Sequence, residues 1–141
     1  YWIINNQMGS NCLWLTEALI KSMSLKPGMR ILDLGCGKAL SSIFLAKEFN
    51  VEVWAFDLWI NANDNWQRIR EAEVQNLVFP IQGNALEMPF ANEFFDAIIS
   101  INLTNYPKCL NILTHIGTLI LILTILLRGG VIYGKKQNQS I

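Results

Sequence analysis

Two carboxylates and two glycines are the residues of this chain best spaced to do chemistry. Asp33 lies near the end of an apolar run, Arg30-Ile31-Leu32-Asp33-Leu34, which leads into the turn Gly35-Cys36-Gly37-Lys38-Ala39-Leu40. Twenty residues after Gly37, a second apolar run from Val51 to Phe56 ends in another acid, Asp57. An open parallel sheet binds ligands outside the carboxyl ends of its strands, and glycines, lacking a Cβ, let backbone approach a ligand closely. Acids at two neighbouring strand ends with a glycine turn between them therefore describe a pocket for a nucleoside-bearing ligand.

Charge narrows the choice of ligand. A dinucleotide site wants G-x-G-x-x-G, so that a pyrophosphate rests on a helix N-terminus. Here the last position of that pattern is Leu40, and Asp33 brings negative charge to where a pyrophosphate would lie. A cationic ligand reverses the sign of that term. S-adenosylmethionine carries an ammonium and a sulfonium and no phosphate. Asp33 would help hold its amino-acid end, directly or through water, while Asp57 accepts the two ribose hydroxyls. An NAD-binding oxidoreductase is the rival reading, and Leu40 and Asp33 both count against it.

The elements that must position these residues follow from periodicity. Helical spacing of Leu13, Trp14, Leu15, Ala18, Leu19 and Ile20 predicts a helix over residues 11–23, and Lys26-Pro27-Gly28 breaks the chain. Strands are expected over 29–34, 51–56, 77–81 and 94–101, with helices over 41–49 and 63–73. Continuous apolar strands alternating with helices argue for a parallel sheet covered on both faces. Pro80 removes a ladder donor, so the third strand belongs at a sheet edge, as it is in the order 3-2-1-4-5. The expected fold is α/β, a three-layer sandwich with a Rossmann-like, mostly parallel sheet.

The segment Ile31-Leu32-Asp33-Leu34-Gly35-Cys36-Gly37 resembles the first motif of class I S-adenosylmethionine-dependent methyltransferases. Asp57, followed by Leu58, matches the acid that closes the second strand of that family. Gly83-Asn84-Ala85, Met88-Pro89-Phe90 and Phe95-Asp96-Ala97-Ile98-Ile99-Ser100 resemble its third and fourth motifs. Met8-Gly9-Ser10-Asn11 with Leu13-Trp14-Leu15 is similar to small bacterial methyltransferases of the cyclopropane-fatty-acyl-phospholipid-synthase-like kind. The resemblance spans Met8 to Ile101. It implies S-adenosylmethionine as cofactor and methyl transfer to a small-molecule or lipid acceptor. Asp33, Gly35, Cys36, Gly37, Asp57, Leu58, Asn84 and Ala85 are the cofactor-binding positions it implies. In many members an aspartate at the position of Asn84 accepts a hydrogen bond from the adenine amino group, and the Asn84 amide oxygen would do the same. No catalytic residue is identified. In-line methyl transfer draws much of its acceleration from positioning and desolvation, so a dedicated base is not always required.

Beyond Ile101 the resemblance fails. Asn102 to Pro107 has no clear match, and residues 110–127 are almost entirely apolar up to Arg128-Gly129-Gly130. A spanning helix needs about 20 apolar residues. This run contains Asn111, His115 and Gly117, so it reads as a buried helix or a degraded segment rather than a membrane span. Val131-Ile132-Tyr133 is expected as a short fifth strand, with nothing left for strands six and seven and a sheet incomplete on its C-terminal side. The chain is thus read as one partial methyltransferase domain over 1–141, with 102–141 a divergent apolar segment of a truncated or frame-disrupted copy. An inactive S-adenosylmethionine-binding remnant is the corresponding alternative function.

Composition supports these limits. At 141 residues the chain fits one domain, and 52% hydrophobic against 16% charged residues argues against disorder. Eleven basic and 11 acidic residues cancel without a basic cluster, which speaks against nucleic-acid binding. Cys12, Cys36 and Cys109 are odd in number and widely spaced, matching neither a zinc site nor a disulfide framework, and a reducing cytoplasm is the expected setting. No signal peptide is legible after Tyr1. Cys36 reads as a small residue tolerated in a turn rather than a nucleophile. Trp59 is placed either to pack on adenine or to line the rim, Trp54 belongs to the core, and His115 has no partner motif for a metal. The oligomeric state has no signature in the sequence.

Overall fold

A computed structural model of the chain describes residues 1–8, 11–101, 115–117, 119–124 and 131–136. Strands β1 (Arg30–Leu34), β2 (Glu52–Asp57), β3 (Val78–Gln82), β4 (Ala97–Ile101), β5 (Leu119–Thr124) and β6 (Val131–Lys136) form one sheet in the order β3-β2-β1-β4-β5-β6. The five strands β1 to β5 run parallel, and β6 pairs antiparallel with β5. Helices α1 (Trp2–Asn6) and α2 (Cys12–Ile20) precede β1, α3 (Leu40–Phe49) connects β1 to β2, and α4 (Ala62–Glu71) connects β2 to β3.

Alternation along the strands sorts the core into two faces. Ile31, Val53, Ala55, Val78, Ala97 and Ile99 turn to the side of the helices, where they meet Leu15 and Leu19 of α2, Ile43 and Leu45 of α3, and Ile69 of α4. Leu32, Leu34, Phe56 and Ile98 turn the other way and meet Met88, Phe95 and Ile116. On that second face Phe90, Phe94, Phe95 and Trp54 form an aromatic cluster, with ring centroids 4.8–5.8 Å apart in its contacts.

Local chemistry sets the helix ends. The Asn11 side chain caps α2 by accepting from the Trp14 N–H, and the Asn61 side chain accepts from the Asn63 N–H at the start of α4. Asp64 in the first turn of α4 and Arg68 and Arg70 in its last suit the helix dipole. Pro80 lies in β3 at the sheet edge, opposite Ala55, where its missing N–H costs no ladder bond.

Two expectations are corrected. The apolar run read as a buried helix contains β5, and Val131 onward forms not the fifth strand but β6, antiparallel and sixth in the sheet. Apolar density reports burial without reporting period, and a strand flanked on both sides reads as a continuous apolar run. The alternating branched residues Ile120, Ile122 and Thr124 favour the strand. The fourth strand also starts later than expected, at Ala97, although Phe95 makes an isolated bridge with Gly117. Helix α1 was not anticipated. Among the described residues no helix is long and apolar enough to cross a membrane. Cys109, Asn102 to Pro107, and Arg128-Gly129-Gly130 lie outside the described residues.

Candidate functional site

The turn between β1 and α3 is built on left-handed backbone. Gly35 has φ 76° and Gly37 φ 55°, conformations that glycine adopts without steric cost. Ala39 follows at φ 59°, an uncommon position for a residue with a Cβ, and one that alanine does not announce in a sequence. The Gly35 and Cys36 N–H groups donate to the Phe56 carbonyl at 2.8 and 3.2 Å, which clamps the turn against the end of β2.

Asp57 stands where that clamp opens. Its Oδ2 accepts from the Gly37 N–H at 2.8 Å, and its Oδ1 accepts from the N–H groups of Trp59 at 2.8 Å and Ile60 at 3.0 Å. A carboxylate offers about four lone-pair directions, so this arrangement leaves about one, on Oδ2. Asp57 is 7% exposed and lines a cavity of about 220 Å³. Gly35, Cys36, Gly37, Ser41, Trp59 and Ile60 share that wall, and the N-terminal residues Asn6, Met8 and Cys12 close its other side. The Met8 sulfur lies 3.5 Å from where a Cβ on Gly37 would stand. Lys38 also lines the cavity, but its Nζ donates to the Asn5 carbonyl at 3.1 Å.

Asp33 occupies a different layer. It is 1% exposed, and its Oδ2 accepts from both Ser41 Oγ and Ser42 Oγ at 2.6 Å. Of these three residues Ser41 reaches the cavity wall, so the acid stands behind a hydroxyl. Burial pushes the Asp33 carboxyl up to about 6 from an ordinary 3.8; the two serine hydroxyls pull it down, and the Asp57 charge adds to the rise. The folded chain therefore holds this proton at a pH where the unfolded chain has released it. The stability Asp33 contributes is full below about pH 4 and is lost as pH rises through about 6, by on the order of 3 kcal/mol. Asp33→Asn should remove that fall. Urea denaturation of both proteins between pH 4 and 7 checks it, and parallel stability curves would assign the proton elsewhere.

The remaining expected positions scatter. Cys36 is buried, and desolvation, with Asp33 and Asp57 nearby, pushes its thiol well above the ordinary range; Cys12 is raised by burial and then by Asp33. Neutral thiols are poor nucleophiles, which fits Cys36 as a turn residue. Leu58 is half-exposed, and its carbonyl accepts from Gln82 Nε2 at 3.4 Å. Asn84 is exposed beyond the end of β3, and its Oδ1 accepts from the Leu86 N–H at 3.0 Å; Ala85 packs against the Phe56 and Met88 cluster. Neither lines the cavity. Trp59 is 83% exposed at the cavity rim, and Trp54 joins the aromatic cluster of the core. Exposed His115 is not among the residues lining the cavity, and its carbonyl accepts from the Glu93 N–H. Asp96 accepts from the Arg30 N–H at 2.7 Å and so anchors the start of β1.

Sequence reasoning gave no individual role to three contributors, although Gly83 and Ser100 lie within the motifs it singled out. Asn65 of α4, 1% exposed, donates to the Gly37 carbonyl. Ser100 donates to the Leu34 carbonyl at 2.7 Å and ties β4 to the strand end beside the turn. Gly83 leaves room for Phe56, whose ring would lie 2.9 Å from a Cβ there. A glycine is at least visible in a sequence. Nothing local marks the role of Asn65 or Ser100.

The comparisons with known proteins fall on this same region. The family model described as Methyltransferase domain matches residues 31–119. (+)-O-methylkolavelool synthase of Herpetosiphon aurantiacus is 36% identical over 84 residues, 59% of this chain and 30% of that protein. Demethylmenaquinone methyltransferase of Listeria welshimeri is 33% identical over 104 residues, 71% of this chain and 43% of that protein. The crystal structure of geranyl diphosphate C-methyltransferase from Streptomyces coelicolor, in complex with Mg2+, geranyl diphosphate and S-adenosyl-L-homocysteine, shares the fold. Its TM-score is 0.72 at 19% identity, over 79% of this chain and 44% of that one. The chain spans less than half the length of each of these relatives. The matched model spans more than half of the chain, including the glycine turn and Asp57, and the chain belongs to the class I S-adenosylmethionine-dependent methyltransferases.

Proposed function

We propose that the chain binds S-adenosylmethionine in the cavity beside Asp57 and presents its methyl group to a small, largely apolar acceptor. The observation that carries this reading is Asp57, which lines the cavity with a lone-pair direction to spare and is braced by three backbone N–H groups. A nucleoside ribose offers hydroxyl donors to such an acceptor. The donor would supply an electrophilic methyl on a sulfonium, and this chain's residues would bind it, orient it and keep water away. Asp33, once ionised above about pH 6, adds negative charge one layer behind the wall, which favours a cation over a pyrophosphate. Gly35 and Gly37 shape the turn, and Asn84 and Ala85 remain the positions proposed for the adenine.

Two observations support an apolar acceptor. Met8 at 48% and Trp59 at 83% exposure leave apolar surface at the cavity edge. The relatives are named for a kolavelool, a demethylmenaquinone and a geranyl diphosphate, all carrying hydrocarbon skeletons. A reducing cytoplasm is the setting that suits the free thiols of Cys12 and Cys36.

Thermal unfolding with S-adenosylhomocysteine or NAD tests the ligand class. Stabilisation by the first and none by the second is expected, at about 2.7 kcal/mol for ligand at 100 times its Kd. Stabilisation by NAD alone would sink the reading. Transfer of labelled methyl groups over a panel of isoprenoid and quinone acceptors then separates an active enzyme from a binding remnant.

A further inference from the structure

Asn65 lies one turn into α4, nearly thirty residues from the glycine turn, and is 1% exposed. Its Nδ2 donates to the Gly37 carbonyl at 2.9 Å, and its Oδ1 accepts from Arg68 Nη1 at 2.9 Å. Arg68 Nε in turn donates to Asn6 Oδ1 at 3.0 Å, and Asn6 lines the cavity. The same glycine donates its N–H to Asp57. One chain of hydrogen bonds thus runs from the N-terminal wall of the cavity, through Arg68 and Asn65, to both polar groups of Gly37 and on to Asp57.

The residue type is constrained at each step. A carbonyl on one side demands a donor and a guanidinium on the other demands an acceptor, so the amide has one satisfied orientation; flipping it would oppose oxygen to oxygen. Glycine is the residue least able to hold its own conformation, and Gly37 sits at φ 55°. A buried amide fixed from α4 supplies the restraint that the turn lacks.

We propose that Asn65 is a positioning residue of the donor site: by holding the Gly37 carbonyl, it keeps the Gly37 N–H aimed at Asp57 and sets the carboxylate for the nucleoside. The affinity consequence rests on the donor reading above; the positioning itself does not.

The test uses the full chain with Asn65→Asp, which keeps the shape but puts an oxygen against the Gly37 carbonyl, and Arg68→Met, which removes the partner of Oδ1 without altering Asn65. The Gly37 backbone amide is followed by 15N–1H NMR, and S-adenosylhomocysteine affinity by calorimetry. In Asn65→Asp the Gly37 amide proton should move upfield as its bond to Asp57 weakens, with β1 and β2 core amides unmoved, and affinity should fall by about tenfold. Arg68→Met should shift both in the same direction by less. A purely structural Asn65 would lower the melting temperature and leave the Gly37 amide in place, and an unmoved amide overturns the proposal whatever the affinity. If the parent protein fails to bind S-adenosylhomocysteine, the donor reading fails while the Gly37 amide still decides the role of Asn65. If Asn65→Asp does not fold, Arg68→Met decides by the same amide.

Discussion

Asp57→Ala should weaken binding of S-adenosylhomocysteine by about 1.5–3 kcal/mol, the range for a hydrogen bond to a charged group, or about 12- to 150-fold in Kd. The acid lines the cavity, and its remaining lone-pair direction is the one proposed to accept a ribose hydroxyl. Its loss has a second effect, because the N–H groups of Gly37, Trp59 and Ile60 all donate to this one carboxylate. Removing it frees the glycine turn and the loop before α4 at once. The variant should therefore also unfold at a lower temperature without ligand, and calorimetry must be done well below that temperature. Unchanged affinity in a folded Asp57→Ala protein would remove Asp57 from the site.

Phe95→Ala should cost about 3–5 kcal/mol of stability, the range for truncating a fully buried aromatic side chain. Phe95 has no exposed surface, and its ring lies 4.8 Å from Phe90, 4.9 Å from Phe94 and 5.5 Å from Trp54. Those neighbours are held by the sheet and by one another, so the void cannot readily collapse. Domains of this size have only about 5–15 kcal/mol to lose. Urea denaturation at constant pH gives the difference, and a loss below about 1 kcal/mol would mean that this face is loosely packed.

Much of this fold and part of the site were legible in the chain. Among the described residues, the alternation of apolar runs with helical patterns predicted three of the four helices and four of the six strands within a few residues at each end, and a fifth, β6, was expected as a strand but one place too early in the order. Pro80 announced an edge strand because a missing N–H is a property of the residue itself. The Gly35-Cys36-Gly37 turn and the distance to Asp57 were equally readable, since a turn at positive φ and an acid at a strand end are local requirements. The apolar run after Ile101 was misassigned because residues as apolar as Leu119 to Leu127 carry no period to read. What distinguishes a strand there is a neighbour on each side, and β4 and β6 supply them.

The sequence by itself determined the strand-turn-helix that presents the turn, the two acids at neighbouring strand ends, and the edge position of β3. Each depends on side-chain alternation, on a missing Cβ or on a missing N–H, and so on nothing distant. Tertiary structure alone decided which acid faces the cavity: Asp57 meets it, while Ser41 and Ser42 hold Asp33 behind the wall. It also brought Asn65 to Gly37 and Asn6 to Arg68, contacts that join residues 28 and 62 positions apart. Those pairings depend on how α1 and α4 pack around the sheet, and a buried asparagine announces no partner until packing chooses one.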